Sequence, residues 1–387
     1  MNNNLKEYVD IKETKTRYSA VDMVAICKRI NNKKRDFLFV NRFQGKHVPI
    51  SPTVAFTVFG ELVDEILKKI DPNEKIVVIG FAETATAIGN YVALHLPNCI
   101  YHMQTTREKI ENEKPFIEFK EEHSHAPEQL LYGDIDKIVE CDRILFVEDE
   151  ISTGKTILNF VNEIKKFSTK FKFAVASILN WQDEGWSQKF NEDNIDTYCL
   201  IKGEIKDINF KVTADVKDGE HVCKNNKMPS CFEIESKLCN FEKERLGSVP
   251  YDINVYKKHI LEVTEQFLPE KREREDIVVI GTEEFMFIPM LFAKVLEESN
   301  YGNVFFHATS RSPIVVSDGK NYVLEKRYQL RSAYDSNRTT YIYNLKKYDK
   351  VFIVTDCKPS KEFVEDITSA LYSCGCKIQN IQILIWK

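Results

Sequence analysis

Residues 143–156 read RILFVEDEISTGKT. Ile144–Val147 is a short apolar run of the kind a buried strand needs, and Gly154 opens a stretch of helical periodicity that reaches Phe167. A strand that leads through a short loop into a helix is the unit of an open α/β sheet, whose ligands sit at the carboxyl ends of the strands. Glu148 and Asp149 are adjacent carboxylates able to accept hydrogen bonds from two vicinal hydroxyls, a match for the 2′- and 3′-OH of a ribose. Ser152, Thr153, Gly154, Lys155 and Thr156 place small and hydroxyl-bearing residues at a helix N-terminus. Free N–H groups and the helix dipole favour a phosphate dianion there. One loop thereby addresses both ends of a ribose 5-phosphate. An acidic strand end with an N-cap would explain Ser152, but not two carboxylates beside a phosphate nest. Gly154-Lys155-Thr156 also spells the end of an ATP-binding P-loop, yet that loop needs a glycine where Asp149 stands.

Outward from this loop, strands and helices alternate. Ala55–Ile70 has apolar residues at helical spacing and stops at Asp71-Pro72. Ile76–Ile79 predicts a buried strand, Gly80–Ala85 a loop, Thr86–Leu96 a helix and Cys99–Met103 the next strand. Phe173–Leu179 follows as another strand, so a parallel sheet is expected. Residues 180–240 change character, with β-like TYCLIKGEI and INFKVTADV among polar turns. At Ile277 the alternation resumes with strand IVVI, helix Pro289–Glu297, strands VFFHA and KVFIV, helix Glu362–Tyr372 and strand IQILIW. The boundary is placed near residue 240, giving domains 1–240 and 241–387.

The second half repeats the first. Ile76–Gly80 and Ile277–Gly281 both read IVVIG, and a glutamate follows three residues later in each, Glu83 and Glu284. A strand ending in a hydroxyl pair and an arginine comes next, Thr105-Thr106-Arg107 and then Thr309-Ser310-Arg311. A strand ending in an aspartate completes the set, at Asp149 and at Asp356. Three landmarks in the same order at near-equal spacing argue for duplication.

A chain of 387 residues favours two domains over one core. The net charge of −5 leaves no basic field for nucleic acid, and no apolar run approaches the roughly 18–20 residues that span a bilayer. The opening MNNNLKEYVDIKE lacks the pattern of a signal peptide, so a cytoplasmic protein is expected. Ten cysteines in such a chain argue for reduced thiols. Cys223, Cys231 and Cys239, with His221 nearby, contain no C-x₂-C pair, and scattered thiols are a better reading than zinc.

VEDEISTGKT resembles the signature of type I phosphoribosyltransferases. The whole chain is similar to the subgroup in which such a domain is joined to a C-terminal TRSP domain, associated with bacterial tellurite-resistance and stress gene clusters. The resemblance is carried by GKHVP at Gly45–Pro49, GFAETATAIG at Gly80–Gly89, TTR at Thr105–Arg107 and EEHSHA at Glu121–Ala126. In the second half it is carried by GTEEF at Gly281–Phe285, TSRSP at Thr309–Pro313 and YDSNRTTYIYN at Tyr334–Asn344. Ser310 stands where the domain's name expects threonine. The fold class this implies is α/β with two domains, each a mostly parallel sheet flanked by helices. The first would be a type I phosphoribosyltransferase fold and the second, from the repeat above, a degenerate copy of it.

The resemblance implies transfer of ribose 5-phosphate from phosphoribosyl pyrophosphate to a nucleobase or base-like acceptor, or the reverse, with Mg²⁺ held largely by substrate oxygens. A homodimer is compatible with it, and neither nucleic acid nor a membrane is expected as a partner. Phe81–Ala85, with Ala82, Glu83 and Thr84 at its centre, would receive the pyrophosphate. Glu83 would hold Mg²⁺ or its water, or else cap the next helix. Arg107 suits a pyrophosphate oxygen, since guanidinium makes bidentate charge-assisted bonds; a surface arginine is the alternative. His123 and His125 lie where this enzyme class has a closing loop, and either could act as general acid toward pyrophosphate or base toward the nucleophile, unless the segment is merely exposed. Lys46 and His47 form a second polar cluster that nothing in the sequence places at the site.

In the second half Thr355 replaces the first carboxylate, Pro359 lacks an N–H and no glycine follows, so the phosphate nest is damaged. Arg311, Glu284 and Asp356 remain as candidate ligand residues for a small anionic or nucleotide-like molecule, the alternative being a domain that only packs against the first. Two other readings of the chain stand beside the enzyme. One is a regulatory or sensory binder of phosphoribosyl pyrophosphate or nucleotide, which would not need the histidines of EEHSHA. The other is an interaction module of a stress complex.

Overall fold

The computed structural model describes residues 5–30, 36–120, 128–207, 227–235, 245–268, 275–319 and 322–387. His123 and His125 lie outside the described residues, as do His221, Cys223 and Cys239. The first half carries strands β1 (Val9–Thr14), β2 (Val24–Lys28), β3 (Phe37–Asn41), β4 (Ile76–Gly80), β5 (Cys99–Thr106), β6 (Ile117–Lys120), β7 (Glu128–Leu131), β8 (Arg143–Ile151), β9 (Lys172–Asn180) and β10 (Ile195–Ile205). Its helices are α1 (Leu5–Tyr8), α2 (Ala20–Met23), α3 (Pro52–Leu67), α4 (Thr86–His95), α5 (Ile135–Val139), α6 (Lys155–Lys165) and α7 (Glu184–Glu192). The second half carries β11 (Ser230–Ile234), β12 (Asp276–Gly281), β13 (Asn303–Ala308), β14 (Arg327–Arg331), β15 (Thr339–Tyr343), β16 (Lys350–Thr355) and β17 (Ile381–Trp386), with α8 (Ile253–Phe267), α9 (Phe287–Glu298) and α10 (Lys361–Ser373).

The first sheet runs β1-β10-β9-β8-β4-β5-β7-β6. Its five central strands pair in parallel, and β1, β7 and β6 add antiparallel edges. The second sheet, β11-β17-β16-β12-β13, is parallel throughout. The order β5-β4-β8-β9 therefore recurs as β13-β12-β16-β17, as the repeated landmarks predict. The outer hairpin recurs too. β7 joins the end of β5 at Thr105 and Thr106, while β15 joins the chain just past β13 through a bridge between Ser310 and Tyr341. The edge beyond β9 is filled by β10, which follows it in the chain, whereas the matching edge is filled by β11, which comes before β12. Ser230–Ile234, placed ahead of the boundary by the sequence pattern, is thus hydrogen-bonded to the second sheet.

β4 and the hydrophobic run of β12 are buried on both faces, which is why both read as unbroken apolar runs. α3 and α4 cover one face of the first sheet, and α9 of the second half packs against both. One apolar core runs through this junction, with Val78, Ala87 and Ile88 joined to Val279, Ile288 and Leu291. Phe56 stacks on Tyr91 at 5.1 Å between ring centres and meets Phe287 edge-on at 6.3 Å. Ser51, which precedes α3, gives its hydroxyl to Glu297 at 2.7 Å instead of capping its own helix.

Two local expectations are corrected. β8 does not end at Val147 but continues to Ile151, because β9 runs beside it and pairs as far as Ile151 with Asn180. The polar stretch between Arg107 and Arg143, in which the sequence pattern marks no strand or helix, holds β6, β7 and α5. Strands of four residues carry too little alternation to be seen in a polar stretch. Among the described residues every cysteine is free, and no helix is long and apolar enough to cross a membrane.

Candidate functional site

β5, β4 and β8 are parallel neighbours, so their carboxyl ends lie side by side, with Arg107 after β5, residues 82–84 after β4 and residues 148–156 at the end of β8 and beyond it; His123 and His125 lie outside the described residues. Glu148, Asp149 and Glu150 lie on β8 itself and are half-buried. Burial pushes the Asp149 carboxyl up to about 7, and the neighbouring Glu150 charge adds to the shift. Beyond Ile151 the chain turns through Ser152 and Thr153 to Gly154, which caps α6 with φ of 74° and no side-chain cap bond. A Cβ at Gly154 would also collide with the ring of Phe190, so both backbone and space require glycine. The first turn of a helix leaves its N–H groups without intrahelical acceptors; here the Lys155 amide donates to Thr153 Oγ1 at 3.3 Å. Ser152 and Thr156 are half-buried, while Thr153 and Lys155 are exposed. Gln182, which sequence reasoning passed over, braces the turn by donating to the Thr153 carbonyl at 3.2 Å.

The loop after β4 is held from three sides. The Phe81 amide donates to the Val147 carbonyl at 3.0 Å, the Ala82 amide to Thr105 Oγ1 at 2.8 Å, and Gln129 Nε2 to the Ala82 carbonyl at 3.2 Å. The Ala82–Glu83 peptide is cis. Gly80 and Gly89 lie backbone to backbone, which lets α4 start close against the strand. Thr84 is half-buried at the tip of the loop.

Glu83 is buried among cations. It is ion-paired with Lys46, lies 3.8 Å from Arg107 Nη1, and accepts from the Arg311 amide at 3.3 Å. Burial by itself would raise its carboxyl; the charges of Lys46, Arg311 and Arg107 outweigh this and hold it at about 2. Lys46, buried as well, donates to the Glu283 carbonyl at 2.6 Å, and burial lowers its pKa despite Glu83. His47 Nε2 is 3.2 Å from Ser310 Oγ, and burial lowers its pKa to about 3, so it is neutral. The cluster that the sequence left unplaced therefore joins the loop of the first half to the second half.

A family model described as phosphoribosyl transferase matches residues 23–204, and one described as the TRSP domain C-terminal to it matches residues 242–371. The chain belongs to this TRSP-bearing phosphoribosyltransferase family. A hypoxanthine/guanine phosphoribosyltransferase of Methanothermus fervidus is 26% identical over 167 residues, spanning 39% of this chain and 79% of that protein. An adenine phosphoribosyltransferase of Pseudomonas fluorescens is 33% identical over 67 residues, or 17% of this chain and 36% of the relative. Among solved structures, adenine phosphoribosyltransferase from Trypanosoma brucei aligns with a TM-score of 0.35 at 14% identity, over 47% of this chain and 76% of that one.

The TRSP domain repeats the strand ends of the phosphoribosyltransferase domain but fills the space between them. Asp356, at the position of Asp149, accepts from Tyr334 OH at 2.5 Å and lies 3.1 Å from Arg245 Nη2. The Arg245 guanidinium stacks over the Tyr334 ring at 4.9 Å. α10, the counterpart of α6, is capped by its own Ser360, whose hydroxyl accepts from the Phe363 amide at 3.1 Å. Arg311 is likewise engaged: its Nε donates to Glu283 at 2.5 Å, and its Nη2 pairs with Glu108 and lies 3.7 Å from Glu284. Arg338 bonds the same Glu108 at 2.8 Å. The three residues expected to bind a ligand in this domain, Arg311, Glu284 and Asp356, all have protein partners.

Proposed function

We propose that the phosphoribosyltransferase domain binds phosphoribosyl pyrophosphate and, with Mg²⁺, exchanges its pyrophosphate for a nucleobase or base-like acceptor in either direction. The observation that carries this reading is the start of α6 at Gly154, in the left-handed conformation with no side chain of its own over the helix end and directly after the strand that bears Glu148 and Asp149, against the start of α10, which its own Ser360 caps. In this reading Glu148 and Asp149 take the ribose hydroxyls, and Ser152–Thr156 takes the 5′-phosphate. Ala82, Glu83, Thr84 and Arg107 form the pyrophosphate end. The bond from the anomeric carbon to pyrophosphate breaks through an oxocarbenium-like state as the acceptor nitrogen bonds to that carbon. His123 and His125, between β6 and β7 in the chain, would supply the proton chemistry. Mg²⁺, held chiefly by substrate oxygens, would neutralise the departing pyrophosphate, and the carboxylates of Glu148 and Asp149 are donors of the hard type it accepts.

The relatives act, by their names, on adenine and on hypoxanthine or guanine, which supports purine-like bases as the first acceptors to try. The TRSP domain supports a place in a bacterial stress-linked pathway. The test is incubation of the full chain with phosphoribosyl pyrophosphate, Mg²⁺ and a panel of nucleobases. Pyrophosphate release with one of them is expected. Binding without release would favour the sensory reading, and no binding at all would overturn the assignment.

A further inference from the structure

The two domains meet through reciprocal contacts. Glu284 of the TRSP domain accepts from the Thr106 hydroxyl at 2.6 Å and from the Arg107 amide at 2.8 Å. In return, Glu83 of the phosphoribosyltransferase domain accepts from the Arg311 amide at 3.3 Å. Glu83 and Glu284 occupy the same place after IVVIG, and Arg107 and Arg311 the same place after the next strand. Each loop is also tied down alike, Ala82 N to Thr105 Oγ1 at 2.8 Å and Glu283 N to Thr309 Oγ1 at 2.9 Å. Each arginine lies near the glutamate of its own domain, at 3.8 Å and 3.7 Å. The equivalent helices α4 and α9 pack on one another. Contacts in which i meets j and j meets i are the mark of a twofold pair, and here both members are in one chain.

We infer that the TRSP domain serves as a built-in partner subunit, and that Glu284 is a positioning residue for the pyrophosphate end of the phosphoribosyltransferase site. The inference rests on the ribose phosphate reading of that site. The TRSP strand ends are occupied by Arg245 and Tyr334 at Asp356, so the exchange serves the proposed site of the first domain. Glu284 is buried, with Arg245 Nε at 3.8 Å and Arg311 Nη2 at 3.7 Å balancing its charge. Its two oxygens hold neighbouring groups, the Thr106 hydroxyl and the Arg107 amide, where β5 ends. Pinning that amide fixes the starting point of the Arg107 guanidinium beside the Ala82–Thr84 loop. Thr86 adds a second tie, its hydroxyl donating to the Glu284 carbonyl at 2.8 Å.

The experiment compares calorimetric binding of phosphoribosyl pyrophosphate with Mg²⁺, and of ribose 5-phosphate alone, by full-length wild type, Glu284→Ala, Glu284→Gln and Thr106→Val. Ribose 5-phosphate lacks the pyrophosphate, so it reports on the other end of the site. Glu284→Ala is expected to weaken phosphoribosyl pyrophosphate about tenfold or more while ribose 5-phosphate binds as in wild type. Glu284→Gln, which can still accept from the Arg107 amide and donate to the Thr106 oxygen, should recover most of the loss. Thr106→Val approaches the same contact from the other domain and decides the matter if Glu284→Ala does not fold. Equal loss of both ligands would mark general damage and overturn the positioning role, as would unchanged phosphoribosyl pyrophosphate affinity. A wild type that binds neither ligand would instead sink the site reading itself.

Discussion

With Asp149 at the ribose hydroxyls, as proposed, its protonation should link pH to substrate binding. In the free protein, burial first and the Glu150 charge second raise this carboxyl from 3.8 to about 7. Between those two values the folded chain holds a proton that the unfolded chain has released. This one group therefore makes the free protein less stable as pH rises across the window, by at most about 1.4 kcal/mol per unit. Ribose hydroxyls donate hydrogen bonds, which favour the ionised carboxylate. Binding near pH 6 must then expel a proton, and affinity should fall about five- to sixfold from pH 7 to pH 6 while changing little above pH 8. Calorimetry with phosphoribosyl pyrophosphate at pH 6.0 in two buffers of different ionisation enthalpy counts the protons released. The ligand's own phosphates titrate nearby, and Asp149→Asn provides the reference. That variant should lose about ten- to a hundredfold in affinity at pH 8 and release one proton fewer at pH 6. Equal proton release by wild type and Asp149→Asn would refute the reasoning.

Gly154→Ala puts a methyl group against Phe190 at φ of 74°, so ribose 5-phosphate binding should be lost and the melting temperature lowered, as read by calorimetry and a thermal melt. Lys46→Met leaves Glu83 buried with one cation fewer. Removing one member of a buried pair costs about 3–5 kcal/mol, and the lower end applies because Arg107 and Arg311 remain. Adding Glu83→Gln should restore part of that stability in chemical denaturation, and a single variant as stable as wild type would count against the buried pair. His123→Ala should reduce turnover by about 10²–10⁴-fold with most ground-state affinity kept, measured as pyrophosphate release against binding. Unchanged turnover in both His123→Ala and His125→Ala would remove the segment from the mechanism.

What the sequence determined by itself was whatever depends on neighbours along the chain. The strands β4, β8, β9, β12, β16 and β17 are apolar runs, and the two glycine-to-arginine spacings announce the repeated strand order. The proposed ribose phosphate loop could be put forward from sequence because its parts lie within ten residues, and because Gly154 and the paired carboxylates have few other uses. Pro359 and the missing glycine argued against a phosphate nest at α10, and the structure adds that Ser360 caps that helix. Tertiary structure alone decided what depends on residues far apart in the chain. Lys46 joins Glu83, Glu284 holds Thr106 and Arg107, and Arg245 occupies Asp356 across separations no local pattern encodes. A buried charge must find an opposite charge wherever the fold brings one, so such partners follow from how the two sheets meet and not from spacing. For the same reason the contacts of Arg311 with Glu83 and of Glu284 with Thr106 and Arg107 could not be read from the sequence.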